Sequence, residues 1–170
     1  MANTSDLLAR RPERLVVTGF RNIMAACDLG DVNCWETVWQ HYIAELGPTP
    51  ARRVVGELQY WTRCVRIHAE RPLSYYPQCC RHLCHDECMA LSIIAAAQVE
   101  DQATGELAAR YLTGQNSRDH LAEVWNASLS FAEALGDAGQ HVIPVTRDVV
   151  ESIFLMQQKT GCRSSCLRLN

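Results

Sequence analysis

The stretch "MALSIIAAAQV", residues 89–99, decides the fold. Wound at about 100° per residue, it shows apolar side chains around nearly its whole circumference, which predicts a helix covered on several sides. It is too short to cross a membrane, which takes about 18 apolar residues in a row. A helix buried all round, outside a membrane, needs a jacket of other helices. The expected architecture is therefore an all-α bundle with this helix at its centre.

The flanking chain can supply the jacket. Val16, Phe20, Ile23, Met24 and Cys27 recur at helical spacing before "DLGD" interrupts them. Trp35, Val38, Trp39, Tyr42 and Leu46 follow as a second stripe, ending at Gly47-Pro48. Thr49-Pro50 opens a third helix with Val54, Leu58, Trp61, Val65 and His68 inward. After the loop "ERPLSYYP", the central helix is predicted over Gln78–Val99, with a short helix over Glu106–Leu112 ending at Gly114. Ser117 caps the next, whose stripe runs Leu121, Val124, Trp125, Ser128, Phe131, Ala132 and Leu135. Thr146 caps the last helix, through Lys159, with Val149, Val150 and Ile153 inward. No alternating strand pattern occurs. Six or seven helices in one domain over residues 1–170 is the expectation, with 1–13 and 162–170 as flexible tails.

Bulk composition narrows the function class. The 170 residues carry a net charge of −3 with 48% hydrophobic content. That balance lacks the basic surface needed to wrap nucleic acid or lie on an anionic membrane. No secretory leader pattern opens the chain, so a reducing cytoplasm is expected. Nine cysteines cannot all pair internally, and free thiols or metal ligands are favoured over disulfides. The four tryptophans and broad apolar complement suggest a homodimer. Phosphate-binding glycine loops, H-E-x-x-H, G-x-S-x-G, Glu-x-x-His and paired C-x-x-C motifs are all missing.

One motif stands out: "PQCCRHLCHDECMA", residues 77–90. On a continuous helix, Cys80, Cys84 and Cys88 fall within about 80° of arc, on the side that faces the core. Such a stripe is ordinary for cysteines that pack as small hydrophobes. It also suits a metal. Side chains four apart have Cβ atoms about 5–6 Å from each other, too far for a disulfide but within reach of a shared zinc ion. His85 lies three residues before Cys88 and can join it, whereas Cys79 points away. Cys162 and Cys166 repeat the spacing in the tail and could complete a four-ligand set. The expected ligands are thus Cys80, Cys84, Cys88, His85, Cys162 and Cys166, with zinc as the ion.

Three functions compete on this reading. The first is a metal- or thiol-dependent regulatory protein sensing through Cys80, Cys84 and Cys88. The second is a helical protein-interaction module whose cysteines only pack. The third is an enzyme with Cys84 or Cys88 as nucleophile and His82 or His85 as base, which Asp86 and Glu87 oppose by disfavouring a thiolate. His68, on an inward stripe, reads as a hydrogen-bonded core histidine. His120, in a first helical turn, reads as exposed.

Overall fold

The computed structural model describes residues 7–160, and among them the chain forms seven α-helices and no strand. They are α1 (Arg11–Leu29), α2 (Val32–Leu46), α3 (Pro48–His68), α4 (His85–Gln98), α5 (Gln102–Thr113), α6 (Arg118–Asp137) and α7 (Arg147–Thr160). None is long and apolar enough to cross a membrane. The punctuation is local chemistry. Gly30 and Gly114 take left-handed backbone at the ends of α1 and α5, where other residues are strained. Asp31, Asp101 and Ser117 accept amide hydrogens at the starts of α2, α5 and α6.

Helix α4 is the centre. Every residue from Met89 to Ala97 is buried, against α1, α5, α6 and α7. Around it, Trp61 of α3 stacks on Phe131 of α6 at 5.3 Å, and Phe20 of α1 tilts against Trp61 at 6.0 Å. Rings at such separations add attraction beyond the area they bury. Tyr42 of α2 donates its hydroxyl to Leu15 O at 2.7 Å, and Gly19 makes room for it, since a Cβ there would collide with Tyr42 and Leu58.

The central helix starts seven residues later than expected. Residues 78–84 form a loop, because their helical hydrogen bonds are taken by a side chain from elsewhere. Arg21 of α1 donates to the carbonyls of Pro77, Cys80 and His82 at 3.3, 2.8 and 2.6 Å. Cys84 is extended (φ −81°, ψ 172°) and stands at the N-cap. Smaller differences follow similar causes. The helix expected at Glu106 begins at Gln102, where Asp101 caps it. Helix α3 opens at Pro48 rather than beyond Thr49. Val149, expected inward, is 46% exposed, while Val150 is fully buried. Residues 11–13 belong to α1, where Glu13 is buried and accepts the Ile143 amide at 2.7 Å. The expected C-terminal tail, 162–170, lies outside the described residues.

Candidate metal centre

The cysteine run and a potential metal site turn out to be separate places. At the head of α4 two buried carboxylates organise the run. Glu87 accepts from Arg21 Nε (2.6 Å) and Tyr76 N (2.8 Å) on one oxygen, and from Arg21 (3.1 Å) and Cys84 N (2.8 Å) on the other. Asp86 accepts from Arg71 (2.6 Å) and His85 Nδ1 (3.1 Å) on one oxygen, and from Arg71 and Ser74 N, both 2.7 Å, on the other. A carboxylate has about four lone-pair sites, and all are used here. Both acids also sit in the first turn of α4, where the helix dipole favours negative charge. Burial alone would raise the Asp86 pKa, but hydrogen bonds from Arg71, His85 and Ser74 together hold it below the usual carboxylate value.

The thiols around this network are withdrawn from water to different degrees. Cys84 is buried and donates to Ser74 O at 3.2 Å. Its pKa is driven far upward, first by burial and then by the Glu87 charge. Cys88, one turn into α4, is pushed up to about 12 by burial and then by Glu87 and Asp86. Cys80 lies in the loop with its side chain partly covered, and Cys79 is exposed. His85 packs 6.0 Å from the Phe154 ring of α7, with Nδ1 on Asp86. Cys80, Cys84, Cys88 and His85 do not converge as a metal-sized group among the described residues. Cys162 and Cys166, the expected partners, lie outside those residues.

Convergence occurs instead where α3 meets α6. Cys64 and His68 are four apart on one face of α3. Glu123, on α6, crosses to them. The Cys64 Sγ, a His68 ring nitrogen and a Glu123 carboxylate oxygen all lie within 4.8 Å of one another. His68 Nε2 and Glu123 Oε2 are hydrogen-bonded at 2.7 Å. His120, one turn before Glu123, stacks on His68 with ring centroids 4.5 Å apart. Among the described residues its Nδ1 is buried and has no hydrogen-bond partner.

The setting is half-sealed. Cys64 and His68 are buried, while the Glu123 side chain is 62% exposed and opens the cluster to water. Cys64 is held above the usual thiol value, first by burial and then by the Glu123 charge. One thiol, one carboxylate and one imidazole at the junction of two helices form a donor set that suits zinc. A tetrahedral ion needs donor atoms about 3.3–3.8 Å apart, so its entry would replace the His68–Glu123 hydrogen bond and draw the sulfur inward. Sequence reasoning placed His68 on the inner stripe correctly but passed over it as a ligand, and it took His120 as exposed. The usable signal was paired spacing: Cys64-x-x-x-His68 on one helix and His120-x-x-Glu123 on another.

No family model matches the chain, and no curated protein or solved structure is significantly similar to it.

Proposed function

We propose that this protein is a metal-binding regulatory protein whose site is the α3–α6 seam, with Cys64, His68 and Glu123 as ligands to a zinc-class divalent ion. The observation that carries this reading is the approach of those three donors to within 4.8 Å of one another across two helices. The His120 ring packs on His68 beside this three-donor group, with its Nδ1 unbonded among the described residues. An ion there would cross-link α3 to α6 and couple metal supply to the stability of the bundle. Enzymatic use of Cys84 or Cys88 is disfavoured by the same physics that seals them, because both stay protonated far above neutral pH.

The test is to purify the full chain without an affinity tag and titrate zinc. Free zinc at 100 times its dissociation constant should stabilise the fold by about 2.7 kcal/mol. Binding should release a proton, because Cys64 must ionise, and affinity should fall as pH falls. Cys64→Ala and His68→Ala should abolish the thermal shift, while Cys88→Ala should leave it intact. An unchanged melting temperature under excess zinc, with no bound metal by elemental analysis, overturns the reading.

A further inference from the structure

A second feature uses none of the α3–α6 ligands. A cavity of about 400 Å³ opens between α1 and the loop that precedes α4, lined by Arg14, Thr18 and Arg21 on one side and by Cys79, Cys80 and Arg81 on the other. That volume falls within the range of about 300–1,000 Å³ typical of small-molecule sites. No acidic side chain among the described residues lines it. The Arg21 charge is matched from behind by Glu87. Arg14 shares a single partner, Glu45, with Arg11 at 3.6 and 2.9 Å, so that trio keeps one positive charge. Arg81 is exposed and makes no ion pair among the described residues. Counted over the described residues the cavity is therefore electropositive, and an exposed thiol, Cys79, lines it.

Its wall is held rigidly. The Cys80 amide closes a turn onto Pro77 O at 2.9 Å, and Arg21 clamps the carbonyls of Pro77, Cys80 and His82. Reactive thiols occur in settings of this kind, partly exposed and electropositive, whereas buried ones such as Cys84 are inert. The geometry points to Cys79 as a site of reversible S-thiolation by a small disulfide that bears carboxylates, with the arginine-lined cavity holding the acidic adduct. The chemistry is one exchange. The Cys79 thiolate, having lost its proton to solvent, attacks one sulfur of the disulfide. A new bond to Cys79 forms, the original S–S bond breaks, and the departing thiolate takes up a proton. Cys80 does not readily displace the adduct. Adjacent Cα atoms lie about 3.8 Å apart, below the span of about 4.4–6.8 Å that a disulfide prefers.

Cys27 is the internal control, because it is also exposed but sits beside Asp28 at the end of α1. The full chain is incubated with glutathione disulfide, or with the neutral hydroxyethyl disulfide, then quenched and mapped by mass spectrometry. Electrostatic attraction accelerates association by about 10–1,000-fold, so Cys79 should react with glutathione disulfide at least about tenfold faster than Cys27. The preference should collapse with the neutral reagent. Arg14→Ala and Arg81→Ala should slow the acidic reagent at Cys79 and leave the neutral one unchanged. Equal rates at Cys79 and Cys27, or the same ratio with both reagents, overturn the assignment, and both are read on the wild-type chain.

Discussion

Two polar clusters lie inside this bundle, and they are finished to different degrees. At the head of α4, Asp86 and Glu87 each accept four hydrogen bonds, and Arg21 is 3% exposed with its charge matched. At the α3–α6 seam, Glu123 is mostly in water, the Cys64 thiol makes no hydrogen bond among the described residues, and His120 Nδ1 is buried without a partner. His85 Nε2 is buried without a partner here too, but the carboxylates of Asp86 and Glu87 are saturated. A buried polar group left unsatisfied costs free energy, so a nearly complete network is the signature of architecture. An incomplete one has capacity left over. The carboxylates beside the cysteines of residues 79–88 have their hydrogen-bonding capacity filled, while a sparser set on α3 and α6 brings three donors within 4.8 Å of one another.

The comparison breaks most easily at Glu87. Glu87→Gln leaves the buried Arg21 charge uncompensated, and removing one partner of such a pair costs about 3–5 kcal/mol. Urea unfolding should show that loss together with faster proteolysis of residues 76–84. A loss below about 1 kcal/mol would mean that the network does not hold the loop.

A smaller effect comes from pH. Folded Cys88 titrates near 12 against an ordinary value of 9.0, and Cys84 is raised in the same direction. The folded state then keeps protons that the unfolded chain gives up, so this contribution is intact below about pH 9 and declines as pH rises towards the folded values. Stability measured from pH 8 to about pH 10.5 should fall, and Cys88→Ala should remove roughly 2 kcal/mol of that fall. An identical slope in the variant would show that Cys88 ionises freely in the fold.

The smallest expected change is at the seam. Glu123→Gln, without metal, should shift stability by less than about 0.5 kcal/mol, since an exposed partner contributes little. The same variant should weaken or abolish the zinc-induced thermal shift. A large loss without metal would make Glu123 a structural group like Glu87.

Much of the fold was legible from the chain alone. The all-round apolar character of residues 89–97 announced the central helix, and glycine and capping residues marked most boundaries, because both signals are local. The start of α4 was not legible. Nothing between Gln78 and Cys84 forbids a helix, and what prevents it is Arg21, 56 to 61 residues away from the carbonyls it takes. The approach of Cys64, His68 and Glu123 was not legible for a related reason. His68 was placed on the inward stripe, yet the register that lays His120 and Glu123 beside Cys64 and His68 belongs to the docking of α3 on α6, which no spacing within one helix encodes.

The clamp of Arg21 also has a consequence in time. The amides of Tyr76 and Cys84 are bonded to the Glu87 carboxylate, which lies 66 residues from the arginine that neutralises it. Contacts so far apart in the chain close late, after α1 and α4 have found each other, and they cannot open unless that pairing loosens. Hydrogen exchange at those two amides therefore clocks the separation of α1 from α4. The loop bearing Cys79, although it contains no helix, opens on the slow schedule of the core rather than the fast schedule of a surface turn.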